Sequence, residues 1–258
     1  MATALVTGAS AGIGLAFVRE LACRGHDLVL VARNRDRLQE VADDLRDLHD
    51  TRCEILVADV AERDQLQRVA DRVADQARPV DLVVNNAGYG LKTDFLRTPI
   101  EREEHHLMIH TRAVLVVSQA AALAMRERGR GAIVNVSSVA SFVQMGTYSA
   151  AKAWCTTFTE GLANELQGTG VTATALCPGF THTEFHQRAS MNMSHLPDAA
   201  WLDADRLVQD CLNDVARGRA LSVPGGLYKA VVGVVQVAPR GIVRRVSGRL
   251  ASGRRTAR

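Results

Sequence analysis

The sequence predicts an α/β fold, a doubly wound parallel sheet with helices on both faces. Three observations carry that expectation. Short apolar runs alternate with longer amphipathic segments along most of the chain. The composition is 47% hydrophobic but only 4% aromatic, so the core is built of Ala, Val and Leu, as doubly buried strands prefer. The first apolar run opens directly onto a glycine-rich turn ahead of a helical segment.

In order, Ala4-Leu5-Val6, Leu28-Val29-Leu30-Val31, Ile55-Leu56-Val57, Leu82-Val83-Val84, Ile133-Val134 and Ala173-Thr174-Ala175-Leu176 read as buried strands. Segments near 12–24, 35–49, 62–77, 100–128, 148–167 and 199–216 are long enough to be the helices between them. Leu221-Ser222-Val223 supplies a further strand. Parallel neighbours require right-handed crossovers, which these segments provide. At 258 residues the chain is long enough for one large domain. The alternation stops after Pro224, so residues 1–223 are expected to form the domain and 224–258 a basic C-terminal extension.

Composition also narrows the function. Cys23, Cys53, Cys155, Cys177 and Cys211 lack paired spacing, which argues against a disulfide framework or a zinc site and for a reducing compartment. The first residues lack the basic start and apolar run of a signal peptide, and no apolar stretch approaches a membrane span. A soluble cytoplasmic protein is expected. The net charge of +3 hides an asymmetry: from Val215 to Arg258 there are ten basic and no acidic residues, leaving residues 1–214 at −7. Any attraction to an anionic partner belongs to the tail, and no nucleic-acid partner is expected.

After the first strand comes Thr7-Gly8-Ala9-Ser10-Ala11-Gly12-Ile13-Gly14. Gly8, Gly12 and Gly14 let the backbone turn tightly and approach a pyrophosphate, whose charge suits a helix N-terminus. The second strand ends Val31-Ala32-Arg33-Asn34-Arg35, with no acidic residue before Asp36. A site for NAD commonly has an acidic side chain there; Arg33, helped by Arg35, suits the 2′-phosphate of NADP. Asp59 and Val60 close the third strand, and Asn85, Asn86, Ala87 and Gly88 the fourth, at the strand ends where such sheets bind ligands. Asp59 can accept from an adenine amino group, Asn85 can brace strand ends, and Gly88 allows close cofactor approach.

The chemistry is expected around Ser138, Tyr148 and Lys152. Tyr148 and Lys152, four apart, share a helix face. A cation about 4 Å from the phenol would lower its pKa by roughly 3 units from about 10 before desolvation takes some back. Such a pair alone is common on solvated helices; here it follows two serines at the end of a strand.

With these residues in this order, the sequence resembles the short-chain dehydrogenase/reductase family, of the main type, over about residues 2–223. The resemblance implies a single Rossmann-type domain binding a nicotinamide cofactor, which Arg33 points to as NADP. It implies that Tyr148 gives or takes the proton, that Lys152 lowers its pKa and holds the nicotinamide ribose, and that Ser138 polarises the substrate oxygen. Pro178 and Gly179 would border the nicotinamide, with Thr183 near its carboxamide. Two features depart from the family. His110 stands where an asparagine usually supports a proton relay, and a histidine can serve there because it titrates near neutrality. The interval from Ser138 to Tyr148 is also shorter than usual, which bears on substrate size.

Residues 180–202 occupy the position of the family's substrate lid, and Phe185, Met191, Met193 and Trp201 there suit an apolar substrate. His182 and His186 have a metal-compatible spacing but no third ligand nearby, so no metal is expected. In the tail, Val243, Val246 and Leu250 share one helical face and Arg245 and Arg249 another, a pattern suited to an anionic membrane surface, an oligomer contact or a basic end. The expected activity is hydride transfer between NADP and an apolar carbonyl or secondary alcohol, such as a 3-oxoacyl thioester or a steroid-like ketone, in a homo-dimer or homo-tetramer. The alternative is a non-catalytic NADP-binding interaction protein that kept the fold.

Overall fold

The structure, a computed structural model, describes residues 2–91, 95–183 and 200–253. Seven parallel strands form one sheet in the order β3-β2-β1-β4-β5-β6-β7. They are β1 (Thr3–Thr7), β2 (Asp27–Ala32), β3 (Cys53–Val57), β4 (Leu82–Asn85), β5 (Gly131–Val136), β6 (Val171–Leu176) and β7 (Leu221–Ser222). The helices are α1 (Gly12–Cys23), α2 (Arg35–His49), α3 (Arg63–Ala74), α4 (Ile100–Arg128), α5 (Gly146–Glu165), α6 (Ala204–Ala216), α7 (Gly226–Val237) and α8 (Arg240–Gly253). The strand order reverses between β1 and β4, where a crevice at the strand C-termini is the ligand position of open α/β sheets.

Period-2 alternation sets both faces of the sheet. Leu28 and Leu30 point to one side, packed with Phe17, Leu21, Leu38 and Leu207. Val29 and Val31 point to the other, with Val69, Val117, Ala121 and Ile133. Both faces are apolar because both are covered, which is why these strands read as unbroken aliphatic runs. Helix α4 is long and apolar enough to span a bilayer, with a mean hydropathy of 1.5 over its most apolar stretch, but half of that stretch is buried inside the fold.

After Pro224 the strand–helix alternation gives way to helices alone. Helices α7 and α8 follow, separated at Pro239, whose ring interrupts helical hydrogen bonding. Tyr228 and Val232 are buried in a cluster with Cys177 and Val223, flanked by Val139, Phe142 and Phe180. The expected face of Val243 and Val246 is also corrected. Val243 and Ser247, four apart, face the protein, while Val246 lies outward at 51% exposure; the side chain of Leu250 is outside the described residues.

Candidate active site

Strand β5 delivers Ser137 and Ser138 to the crevice, and the two serines divide their tasks. The Ser137 hydroxyl is buried, donating to the Lys152 carbonyl at 2.8 Å and pairing with the Thr156 hydroxyl at 2.7 Å. Ser138 caps the turn Val139–Phe142, accepting from the Ala140 N–H at 3.1 Å, and its side chain hydrogen-bonds the Tyr148 phenol. The short interval to Tyr148 is accommodated by that turn and by an early helix start at Gly146.

Tyr148 and Lys152 share a face of α5, as expected, but their electrostatics differ from the expectation. The Lys152 ammonium reaches across to the Val136 carbonyl, 2.7 Å away, and lies 5.8 Å from the Tyr148 ring centroid. Burial dominates both groups. It pushes the Tyr148 phenol up to about 12, against the pull of the Ser138 hydrogen bond, and holds Lys152 below its usual value. The depressed phenol pKa inferred from spacing is therefore not a property of this arrangement. What the arrangement provides is a protonated tyrosine at neutral pH, the form that donates.

His110 sits in a π-helical turn, Met108–Ala113, within α4. Its ring meets the Tyr148 ring edge-on at 5.6 Å. Its Nε2 faces the backbone of Tyr89, 2.9 Å from the carbonyl oxygen and 3.2 Å from the nitrogen. Gly88 is required by this packing, since a Cβ there would lie 2.5 Å from His110 Cε1. Sequence reasoning missed His106, although its spacing from His110 puts both on one helix face. Its ring is 4.3 Å from that of His110 and 6.0 Å from that of Tyr148. Burial, with Lys152 nearby, lowers His106 to about 4 and His110 well below the ordinary range. In both, burial favours the neutral ring.

The cofactor side is held by contacts that cross β1 and β4. The Thr7 hydroxyl accepts from the N–H groups of Asn86 and Ala87, each at 3.0 Å. Asn86 Nδ2 donates back to the carbonyls of Thr7 and Gly8. A Cβ on Gly14 would strike Gly8 O and Asn86 Nδ2, so the glycine turn is closed by its own neighbours. Helix α1 then begins without a capping side chain, leaving the first-turn N–H groups of Gly12, Ile13 and Gly14 suited to an anion. Thr183 packs beside Gly12, and Ser10 lies half-buried in the same turn. At the far end Arg33, 72% exposed, pairs with Asp59 at 3.5 Å, while Val60 is buried behind them. Asn85 donates to Asn135 at 2.8 Å and Ser118 at 3.2 Å, bracing strand ends as expected. These features fit a dinucleotide.

Pro178 accepts from Val139 N–H at 3.0 Å, and the Tyr228 ring covers Gly179 so closely that no Cβ could fit. The Tyr228 hydroxyl donates to Ala200 O at 2.6 Å and accepts from Phe180 N–H at 3.1 Å. Leu202 is hydrogen-bonded to both Phe180 and His182, and Trp201 stacks on His182 at 4.6 Å. The expected lid residues Phe185, Met191 and Met193, and the metal candidate His186, lie outside the described residues. Among the described residues there is no cluster of three metal-ligating side chains.

The model of the short chain dehydrogenase family matches residues 2–194. Among curated proteins, the chain is 36% identical over 187 residues to sulfoacetaldehyde reductase 2 of Chromohalobacter salexigens, covering 70% of this chain and 73% of that one. Among solved structures it is similar to a short-chain dehydrogenase from Sphingobium yanoikuyae in complex with NADPH. That pair has a TM-score of 0.84 and 34% identity, covering 92% and 94% of the two chains. It is also similar to a bulky-bulky ketone specific alcohol dehydrogenase from Comamonas testosteroni, with a TM-score of 0.79, 28% identity and coverage of 93% and 96%.

Proposed function

The chain belongs to the short-chain dehydrogenase family, and we propose that within it the chain is an NADP-dependent oxidoreductase for an apolar ketone or its secondary alcohol. The observation that supports this best is the Tyr148 phenol on α5, held by Ser138 just past the end of β5 and pushed up to about 12 by desolvation. A bound nicotinamide supplies the hydride when a carbonyl is reduced. Tyr148 gives its proton to the carbonyl oxygen, Ser138 orients that oxygen, and Lys152 carries positive charge beneath the site.

Gly8, Ser10, Gly12, Ile13 and Gly14 would hold the pyrophosphate, and Arg33, Asp59 and Val60 the adenosine end. Asn86, Ala87 and Gly88 would line the middle, with Tyr148, Lys152, Pro178, Gly179 and Thr183 at the nicotinamide. Arg33 favours NADP, since an exposed guanidinium at this strand end suits a 2′-phosphate; the 34% identical structure from Sphingobium yanoikuyae is an NADPH complex. The apolar substrate is favoured by Phe180 and Trp201 at the neck of the expected lid. Exposed Leu115 and Leu123 on α4 favour a homo-oligomer, and the basic tail favours contact with a membrane surface.

The test is NADPH oxidation against bulky ketones, 3-oxoacyl thioesters and, as a small anionic contrast, sulfoacetaldehyde. Turnover of an apolar ketone is expected, with Tyr148→Phe losing at least about a hundredfold in kcat while NADPH affinity is retained. Preference for sulfoacetaldehyde would overturn the substrate class. Full activity in Tyr148→Phe would overturn the mechanism.

A further inference from the structure

Two short stretches of backbone, 180–182 and 200–202, lie against one another in a pairing too brief to hold its own register. Leu202 N–H donates to Phe180 O at 2.7 Å, His182 N–H donates to Leu202 O at 3.0 Å, and one bridge joins Thr181 to Leu202. At the open end of this pairing, a single side chain takes both the Phe180 N–H and the Ala200 carbonyl. The Tyr228 hydroxyl accepts from the first at 3.1 Å and donates its one proton to the second at 2.6 Å.

The Tyr228 ring is held as firmly as its hydroxyl. It is buried in a cluster with Cys177, Val223 and Val232, and a Cβ on Gly179 would come within 2.2 Å of its Cζ. The backbone beneath that ring is tied on both sides. Pro178 O accepts from the N–H of Val139, the residue after Ser138, and the Thr181 hydroxyl donates to Gly179 O at 3.1 Å. Further along, Thr183 packs beside Gly12 at the start of α1. Tyr228 therefore bears on the stretch of chain that runs from the serine turn to the glycine turn. Yet it belongs to α7, beyond the residues 2–194 that match the family model.

We infer that Tyr228 is a positioning residue: from the C-terminal extension it sets the Pro178–Phe180 backbone, and through that backbone the place of the nicotinamide. The inference rests on the reading that Pro178, Gly179 and Thr183 border that ring. Tyr228 acts from behind Gly179 and does not touch the cofactor. Removing its hydroxyl leaves the ring over Gly179 but releases Phe180 N–H and Ala200 O. A residue that only supports the fold would weaken every ligand alike, whereas a positioning residue here affects the nicotinamide half alone.

Calorimetric titration separates the two halves. NADPH probes both, and adenosine 2′,5′-bisphosphate probes the adenosine half. Tyr228→Phe should bind NADPH about fivefold or more weakly than wild type and keep its affinity for the bisphosphate. The fluorescence of the bound dihydronicotinamide should fall as the ring loses its fixed place. Val232→Ala thins the same cluster without touching either hydrogen bond, so it should lower the melting temperature and leave the ratio of the two affinities as in wild type. Equal weakening of both ligands in Tyr228→Phe, or the same ratio in the two variants, overturns the assignment. Hydrogen exchange adds a measurement on the wild type itself, where the Phe180 N–H should be protected without ligand. Exchange there at the rate of an unprotected amide overturns the clasp even if Tyr228→Phe does not fold. Wild-type protein that binds neither ligand overturns the cofactor reading, and the inference with it. Failure to reduce a ketone counts against the oxidoreductase reading alone, because neither measurement depends on turnover.

Discussion

Lys152 lies one helical turn beyond Tyr148, yet its ammonium bonds the Val136 carbonyl at 2.7 Å and stays 5.8 Å from the tyrosine ring centroid. A lysine so placed shapes the field of the site without making tyrosine a strong acid. Desolvation outweighs the Ser138 hydrogen bond, and the phenol is raised to about 12.

That balance fixes the pH dependence. A phenol raised to about 12 keeps its proton throughout the neutral range, so ketone reduction should be nearly flat between about pH 6 and about pH 9. Alcohol oxidation needs the phenolate, whose fraction grows about tenfold per unit of pH below the pKa, so its rate should climb steadily with alkalinity. Initial rates in both directions, with saturating cofactor, read this out. An oxidation plateau near neutrality would mean that the phenol is acidified in the working complex, as the Tyr148–Lys152 spacing alone would suggest.

Cofactor choice rests on Arg33. Its guanidinium is mostly exposed and leans on Asp59 at 3.5 Å, so it can turn to a 2′-phosphate at little cost. Arg33→Ala should weaken NADPH binding by about tenfold, the low end for a charge-assisted bond at an exposed site, and leave NADH binding nearly unchanged. Calorimetric titration of both cofactors into both proteins checks this. Equal affinity of the wild type for NADH and NADPH would remove Arg33 from the role.

The sequence made the sheet legible because its central strands are buried on both faces, and β1, β2 and β4 read as aliphatic runs. The Ser138–Tyr148–Lys152 set was legible because one strand end and one helix turn fix its members. Less legible was anything set by three-dimensional neighbours. Thr7 locks β1 to the Asn86–Ala87 backbone across a long sequence separation, and nothing in its local sequence marks that role. His106 has no local signal of its position, and only the fold brings its ring against those of Tyr89, His110 and Tyr148. The tail's helical spacing was legible, but not which of its faces turns to the protein. Helix α7 is held by Tyr228 packing over Gly179.

That packing shapes the test of the tail, since truncation at Pro224 would also strip the cover from Gly179. Helix α7 leaves Leu227, Val231, Val234 and Val237 exposed, while Ile242 and Val246 are exposed on α8 beside Arg244 and Arg245. No acidic residue follows Asp214, so a two-fold contact between two such surfaces would bring like charges together, whereas an anionic lipid surface would attract both the charge and the apolar side chains. Each engaged basic residue contributes on the order of 1 kcal/mol near such a surface. Reversing Arg244 and Arg245 to Glu should therefore lower binding to anionic vesicles by at least about tenfold, and raising the salt should do the same by screening. Val234→Glu should weaken the apolar contribution, with the size of the protein in solution unchanged. Vesicle flotation at low and high salt, with anionic and with neutral lipid, makes the measurement, and size-exclusion chromatography provides the control. Equal flotation with neutral lipid would exclude the electrostatic mechanism. A change in size for Val234→Glu without any flotation of the wild type would identify the exposed valine face as an oligomer contact.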